Sequence, residues 1–412
     1  MGETMPRKHV WPEGHWDWPI HVSHKHGLRA GNMIFVGGQV DLDSSGTVLH
    51  PGDLDRQTAA VMENIRRVLA EFGAEPADLV KLVAFYATDG RADETRLLAA
   101  MAKALPGAGP GPVVSAVPLP ALAYDGMVVE IEAIAMRGAD DRTLARRAAD
   151  PAELAPLPKP FSHGLQCGEM IFVGGQDPTD AAGKLLDEGD IVAQMGGVMD
   201  RIGLVLGRLG ADFDDVVKIK NWYQGEGRFE DWEAAARARA TYFREPGPAA
   251  TGIPLPRHGR KGHMIRSDVI AMRDESGARL AKSHSWPEGH WDWPIHLPYK
   301  HGVRCGNMVF LGGQVALTPK GVVMEPDALV AQTKISMEMI RRVLEAHGLG
   351  FDDVVKVTAY YRGGASAEQL HDNLKIRSGC FTEPGPTTTG IPLPTLAYVG
   401  MMIEIEIIAM AG

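Results

Sequence analysis

The sequence predicts an α+β fold written three times in one chain of 412 residues. The first observation is a repeated segment. Arg29-Ala-Gly-Asn-Met-Ile-Phe-Val-Gly-Gly-Gln39 returns as Gln166-Cys-Gly-Glu-Met-Ile-Phe-Val-Gly-Gly-Gln176 and as Arg304-Cys-Gly-Asn-Met-Val-Phe-Leu-Gly-Gly-Gln314, at offsets of 137 and 138 residues. The second is that the far ends repeat too: Pro112–Pro120, Pro248–Pro256 and Pro386–Pro394 align, the last two closing on Gly-Ile-Pro-Leu-Pro. The third is the period itself. It exceeds the roughly 20–50 residues of a solenoid repeat and matches a small domain. Three such domains are expected to close around a pseudo-threefold axis, a homotrimer fused into one polypeptide.

Each unit reads ββαβαββ. In copy one a β-pair spans about 21–29 and 32–39, turning at Gly31-Asn32, and the Gly-Gly pair allows a bulge or a close backbone approach. Leu54, Val61, Ile65, Val68, Leu69 and Phe72 then fall at helical spacing, as do Val198, Ile202, Val205, Leu206 and Leu209. Gly73 and Gly210 stand where a helix C-terminus belongs. A strand follows (80–86, 216–223, 354–361), then a second helix and two closing strands. The last, Met127–Met136, alternates Glu130 and Glu132 with Val and Ile, so one face carries carboxylates. Helices over one face of a mixed sheet follow from this order. The domains are expected at 1–137, 155–273 and 284–412, with linkers near 137–156 and 273–285.

Composition narrows the function. A net charge of −10 and a pI near 5.8 argue against a nucleic-acid binder, which would cluster Lys and Arg. No apolar run has the length of a membrane span. The N-terminus has no apolar signal segment, and Pro6 sits where a myristoylation motif needs Ser or Thr, so a cytoplasmic location is expected. Cys167, Cys305 and Cys380 form no CxxC, and two of them share one repeat position with Ala30, as small core residues do.

The G-N-M-[IV]-F strand with its Gly-Gly-Gln end, the helix with Asn64-Ile65 near its middle, and the closing V-E-I-E-A-I-A strand resemble the RidA/YjgF family. The resemblance covers nearly all of each copy, so the chain looks like three tandem members with a chorismate mutase-like fold. It implies clefts between neighbouring units and no cofactor. Relatives include hydrolases of reactive enamines and imines, and chorismatase-like enzymes. The deaminases hold the substrate carboxylate with an arginine on the strand before the last. At that position this chain has Val114, Ala250 and Thr388. Copy two offers other cations nearby, Arg257, Arg260, Lys261 and Arg266, which leaves a displaced anion site open.

The resemblance also implies that a last-strand glutamate lies near the cleft. Glu130 and Glu404 are its counterparts, and Arg266 replaces it in copy two. Such a carboxylate serves as general base for water if desolvation raises its pKa. Glu132 and Glu406 are expected to be structural. Before the first hairpin stand Lys25-His26-Gly27, Ser162-His163-Gly164 and Lys300-His301-Gly302. His26 and His301 are candidates for proton transfer, and Lys25 and Lys300 for charge stabilisation or Schiff-base chemistry. Hydrogen bonding of these histidines to a backbone carbonyl is the alternative.

Trp11-Pro-Glu-Gly-His-Trp-Asp-Trp-Pro-Ile-His21 recurs unchanged as Trp286–His296 and is missing from copy two. Trp16, Trp18, Trp291 and Trp293, with Tyr124 and Tyr398, are expected to wall two clefts and bind a planar substrate. Packing is the alternative for the tryptophans. The cluster His15, Asp17, His21, His24 and His26 lacks a metal-ligand spacing, so no metal is expected. The reading is therefore a metal-free hydrolase or deaminase of a small nitrogen compound, acting at one or two clefts. Its rivals are a non-catalytic metabolite binder and a chorismatase-like enzyme. The partner is a small molecule, with no nucleic acid and no membrane, and the chain is a monomeric pseudo-trimer or a dimer of such units.

Overall fold

A computed structural model describes residues 7–88, 93–107, 109–138 and 140–412. Residues 1–6, on which the N-terminal reading rests in part, lie outside it. Unit 1 contains β1 (Arg7–Val10), β2 (Gly27–Ala30), β3 (Met33–Gln39), α1 (Leu54–Ala70), β4 (Leu79–Ala87), α2 (Glu94–Lys103), β5 (Val113–Leu119) and β6 (Val129–Met136). Unit 2 repeats this with β7 (Arg146–Ala149), β8 (Gly164–Cys167), β9 (Met170–Gln176), α3 (Ile191–Arg208), β10 (Val216–Gln224), α4 (Phe229–Ala240), β11 (Ala249–Leu255) and β12 (Ile265–Met272). Unit 3 has β13 (Lys282–Ser285), β14 (Gly302–Cys305), β15 (Met308–Leu311), β16 (Gln314–Val315), α5 (Leu329–Glu345), β17 (Val354–Arg362), α6 (Ala367–Ser378), β18 (Thr387–Leu393) and β19 (Ile403–Met410).

The first sheet runs β1-β2-β3-β6-β4-β5, with β4 and β5 parallel across the α2 crossover and the other pairs antiparallel. One element differs from the sequence reading. Residues 146–149 and 282–285, assigned there to linkers, are strands that pair with β8 and β14 as β1 pairs with β2. Their apolar content is too low to show an alternating pattern; Arg-Arg-Ala-Ala and Lys-Ser-His-Ser sit on sheet edges, where charge is tolerated. Residues 21–26, read as strand, are instead a connecting segment.

The helices form where periodicity placed them. In α1, Leu54, Val61, Ile65, Val68 and Leu69 are buried against the sheet, and the Asp53 side chain caps the start by accepting from Arg56 N. Gly73, Gly210 and Gly348 follow the first helix of each unit at φ of +67°, +73° and +71°, the left-handed exit that glycine makes easy.

The sheet faces away from the helices meet one another. Leu28 and Phe35, Leu165 and Phe172, and Val303 and Phe310 belong to one buried cluster drawn from all three units. Beside it runs a circuit of buried ion pairs. Lys81 Nζ lies 2.6 Å from Asp268 Oδ2, Lys218 Nζ 2.8 Å from Glu406 Oε2, and Lys356 Nζ 2.6 Å from Glu132 Oε2. Each links one unit to another, and Lys220 adds a further contact to Glu406.

Candidate functional site

The glycine pair after β3 opens the site. The β3–β6 register shifts between Val36 and Gln39, and in unit 3 the same break divides β15 from β16. A side chain on Gly38 would overlap the Glu130 carboxyl, and one on Gly313 would overlap that of Glu404. The glycines leave room for a last-strand carboxyl to lie against backbone. Glu130 accepts from the Gly390 amide of unit 3, and Glu404 from the Gly252 amide of unit 2. Burial, and then the Glu132 charge, push Glu130 up to about 8; burial and Glu406 do the same for Glu404. Both carboxyls are therefore mostly protonated at neutral pH.

Across the boundary from Glu130 stand Arg377 of α6 and Thr388 of β18. With Trp16, Trp18 and Tyr124 they line a cavity of about 20 Å³. Arg377 is fully buried. Its Nη1 donates to Thr388 Oγ1 (2.7 Å) and its Nε to Asn373 Oδ1 (2.9 Å), while Nη2 has no hydrogen-bond partner. No carboxylate among the described residues pairs with it, and burial pulls its pKa down to about 10. A desolvated guanidinium without a counter-ion is costly to keep.

The unit 2–unit 3 boundary repeats the arrangement. Arg239 occupies on α4 the place of Arg377 on α6, and its Nε donates to Tyr299 Oη (2.7 Å). Together with Glu404, Trp291, Trp293, Tyr398 and Trp232 it lines a cavity of about 80 Å³. The unit 1–unit 2 boundary does not repeat it. There Arg266 replaces the glutamate, Asp177 stands where Val40 and Val315 stand, and the two are joined by a pair of 2.6 Å hydrogen bonds. Glu94 adds a third contact at 2.9 Å. Although burial pushes the other way, Arg266 holds the Asp177 carboxyl far below its ordinary range. Lys103, aligned with the two arginines, is exposed. In this cleft, of about 370 Å³, the last strand thus offers no carboxyl, and its arginine is committed to Asp177 and Glu94.

Several candidate residues fall elsewhere than expected. His26 and His301 sit behind the tryptophans. His26 Nε2 donates to Trp16 O (3.0 Å), and its ring stacks on Trp18 at 5.5 Å and 5°. His301 repeats both contacts with Trp291 and Trp293. Burial, and the neighbouring His15 or His290, hold both imidazoles well below their ordinary range, so they stay neutral and fix the segment. Lys25 and Lys300 turn outward, to Glu383 (2.7 Å) and Glu245 (2.8 Å) on the adjoining units, and line neither cavity. Arg266 is consumed by its ion pairs, Arg257 donates to Thr88 O and Arg260 to Gly183 O.

One acceptor also gathers two rings of the tryptophan segment. Gln39 Oε1 receives His15 Nε2 (2.7 Å) and Trp16 Nε1 (3.1 Å); Gln314 does so for His290 and Trp291. Its sequence-adjacent polar groups disperse: Asp17 accepts from its neighbour's amide, His21 meets Glu383 and His24 meets Pro386 O. Among the described residues no group of three or more His, Cys, Asp or Glu gathers as a metal site. Sequence reasoning missed Arg377 and Arg239. The available signal was an arginine recurring 11 residues before the aligned strand position, on an otherwise buried helix face.

The endoribonuclease L-PSP family model matches residues 20–137, 152–262 and 294–411. A RutC family protein of Pyrococcus horikoshii is 31% identical over 113 residues, covering 27% of this chain and 86% of that protein. The 2-iminobutanoate/2-iminopropanoate deaminase of Escherichia coli strain K12 is 30% identical over 117 residues, covering 28% and 86%. A chorismatase crystal structure superposes with a TM-score of 0.52 at 12% identity, over 81% of this chain and 93% of that one, a likeness of fold alone. No helix among the described residues is long and apolar enough to cross a membrane.

Proposed function

The chain belongs to the endoribonuclease L-PSP (RidA/YjgF) family, three copies in tandem, and on that premise we propose that it hydrolyses the C=N bond of a small carboxylated imine or its enamine tautomer. The two working clefts are those holding Glu130 and Glu404. One observation carries the reading: each cleft pairs a buried, protonated carboxyl with a buried arginine from the facing helix. The related E. coli deaminase acts on 2-imino acids by name, and the helix arginines answer the need for a carboxylate anchor that Thr388 and Ala250 cannot meet.

In this mechanism Arg377 or Arg239 binds the substrate carboxylate, a charge-assisted contact favoured in a dry cleft. The neutral glutamate donates its proton to the imine nitrogen, which makes the carbon electrophilic. Water adds to that carbon while the glutamate carboxylate takes the water's proton. The same proton then passes to nitrogen, the C–N bond breaks, and the carbinol hydroxyl proton restores the glutamate. Imine and water become ketone and ammonia. The glutamate thus acts first as acid and only then as base, the order its resting protonation dictates.

The reading also takes the chain as a closed ring with a pseudo-threefold axis, supported by the three ion pairs that join the units in turn. The test follows ammonia release from 2-iminobutanoate generated in place by an amino-acid oxidase. Acceleration by the parent chain and its loss in the Glu130→Gln, Glu404→Gln double variant is expected. Equal rates with and without the parent chain would leave a metabolite-binding protein instead.

A further inference from the structure

We infer that the two clefts select different substrates, the Glu404 cleft taking a flat aromatic or heteroaromatic side chain and the Glu130 cleft a short aliphatic one. This rests on the function proposed above and assigns its substrate classes. The facing helices differ at the wall positions. Trp232 and Ala236 of α4 stand where α6 carries Leu370 and Leu374, and Ala250 stands where β18 carries Thr388. Leu374 and Thr388 fill volume that two alanines leave open, and the cavities measure about 20 and 80 Å³ accordingly.

Polarity diverges with size. In the larger cavity Trp232 Nε1, Tyr223 Oη and Tyr398 Oη are all buried without a hydrogen-bond partner among the described residues. Three orphaned donors on aromatic walls are expensive unless a ligand supplies acceptors to them. At the smaller one Tyr124, the counterpart of Tyr398, is already bonded to His371 (3.0 Å); among the described residues the unpaired atoms there are Arg377 Nη2 and the Oη of Tyr361, which corresponds to Tyr223 and lies beside Glu130 and Arg377 but not in the cavity lining. The tyrosine orphan on the central strand is thus common to both clefts, and the larger one differs by Trp232 Nε1 and Tyr398 Oη. The large one lacks a carboxylate and a ring with polar edges. Identical subunits could not divide substrates this way; a fused chain can.

The test uses the full chain and two stable ketones, phenylpyruvate and 2-oxobutanoate, titrated calorimetrically so that binding is read without turnover. Ala236→Leu should weaken phenylpyruvate at least tenfold and leave 2-oxobutanoate within twofold. Arg377→Met should do the reverse. Should Ala236→Leu fail to fold by circular dichroism, Trp232→Leu replaces it with the same expectation. Equal effects of either variant on both ketones, or no binding of either, overturn the division. Binding that divides as stated in a chain without imine turnover would instead overturn the catalytic reading alone.

Discussion

Arg377 Nη1 donates to Thr388 Oγ1 across 2.7 Å, so a guanidinium from α6 reaches the strand position at which the family resemblance led us to expect an arginine. Among the described residues the side chain has no charge partner and leaves Nη2 unbonded. On the proposed function it is held for binding, at a cost to folding.

Arg377→Met tests that trade. Methionine keeps the length and removes the buried charge, so carboxylate binding in the Glu130 cleft should fall about 10- to 100-fold, the span of one charged hydrogen bond. Thermal stability should stay level or rise, because an uncompensated charge leaves the interior. A clear fall in melting temperature together with intact 2-oxobutanoate binding would make Arg377 a structural residue.

In the proposed mechanism the glutamates carry the proton chemistry. Glu130→Gln with Glu404→Gln should cut turnover about 100- to 10,000-fold while ketone binding changes little. In the parent chain the rate should fall as pH rises through about 8, where the carboxyls lose the proton they donate. A rate that climbs through that range would mean the ionised form is the one that works.

The same shift predicts a pH-dependent stability. The unfolded glutamates titrate near 4.5 and the folded ones near 8, so between those values the native state binds more protons. Stability contributed by these groups is then full below about 4.5 and is lost as pH rises through about 8. Denaturant midpoints should fall across that window in the parent and fall less in the double glutamine variant.

How much of this was legible depends on period and on partner. Repeats, helices and the closing strands could be read because hydrophobic spacing is local, as at Leu54 to Leu69 in α1. Glu132 and Glu406, expected to be structural, lie in buried ion pairs with lysines of other units. Arg377 and the neutral state of His26 were not legible, since both follow from what the neighbouring unit or segment places beside them. Even β7 and β13 are strands only because β8 and β14 offer an edge.

Glu406→Gln bears on the assembly. Glu406 receives Lys218 at 2.8 Å and Lys220 as well, and both lysines are buried with it. Although burial pushes its pKa up, those two cations hold the carboxyl well below its ordinary range, so it is charged in the folded chain. Neutralising it leaves two ammonium groups sharing no anion at full contact; Lys220 keeps only Glu132, at 4.0 Å. Breaking a buried pair this way costs about 3–5 kcal/mol. Because the pairs join units rather than lie within them, the loss should show as earlier proteolysis in the connections that precede β7 and β13, as well as a lower melting temperature. On the proposed arrangement, in which each chain closes its own ring, sedimentation of the parent should meanwhile give one chain or a pair of chains. A stable assembly of three 412-residue chains would mean that the ion pairs seen within one chain are exchanged between chains.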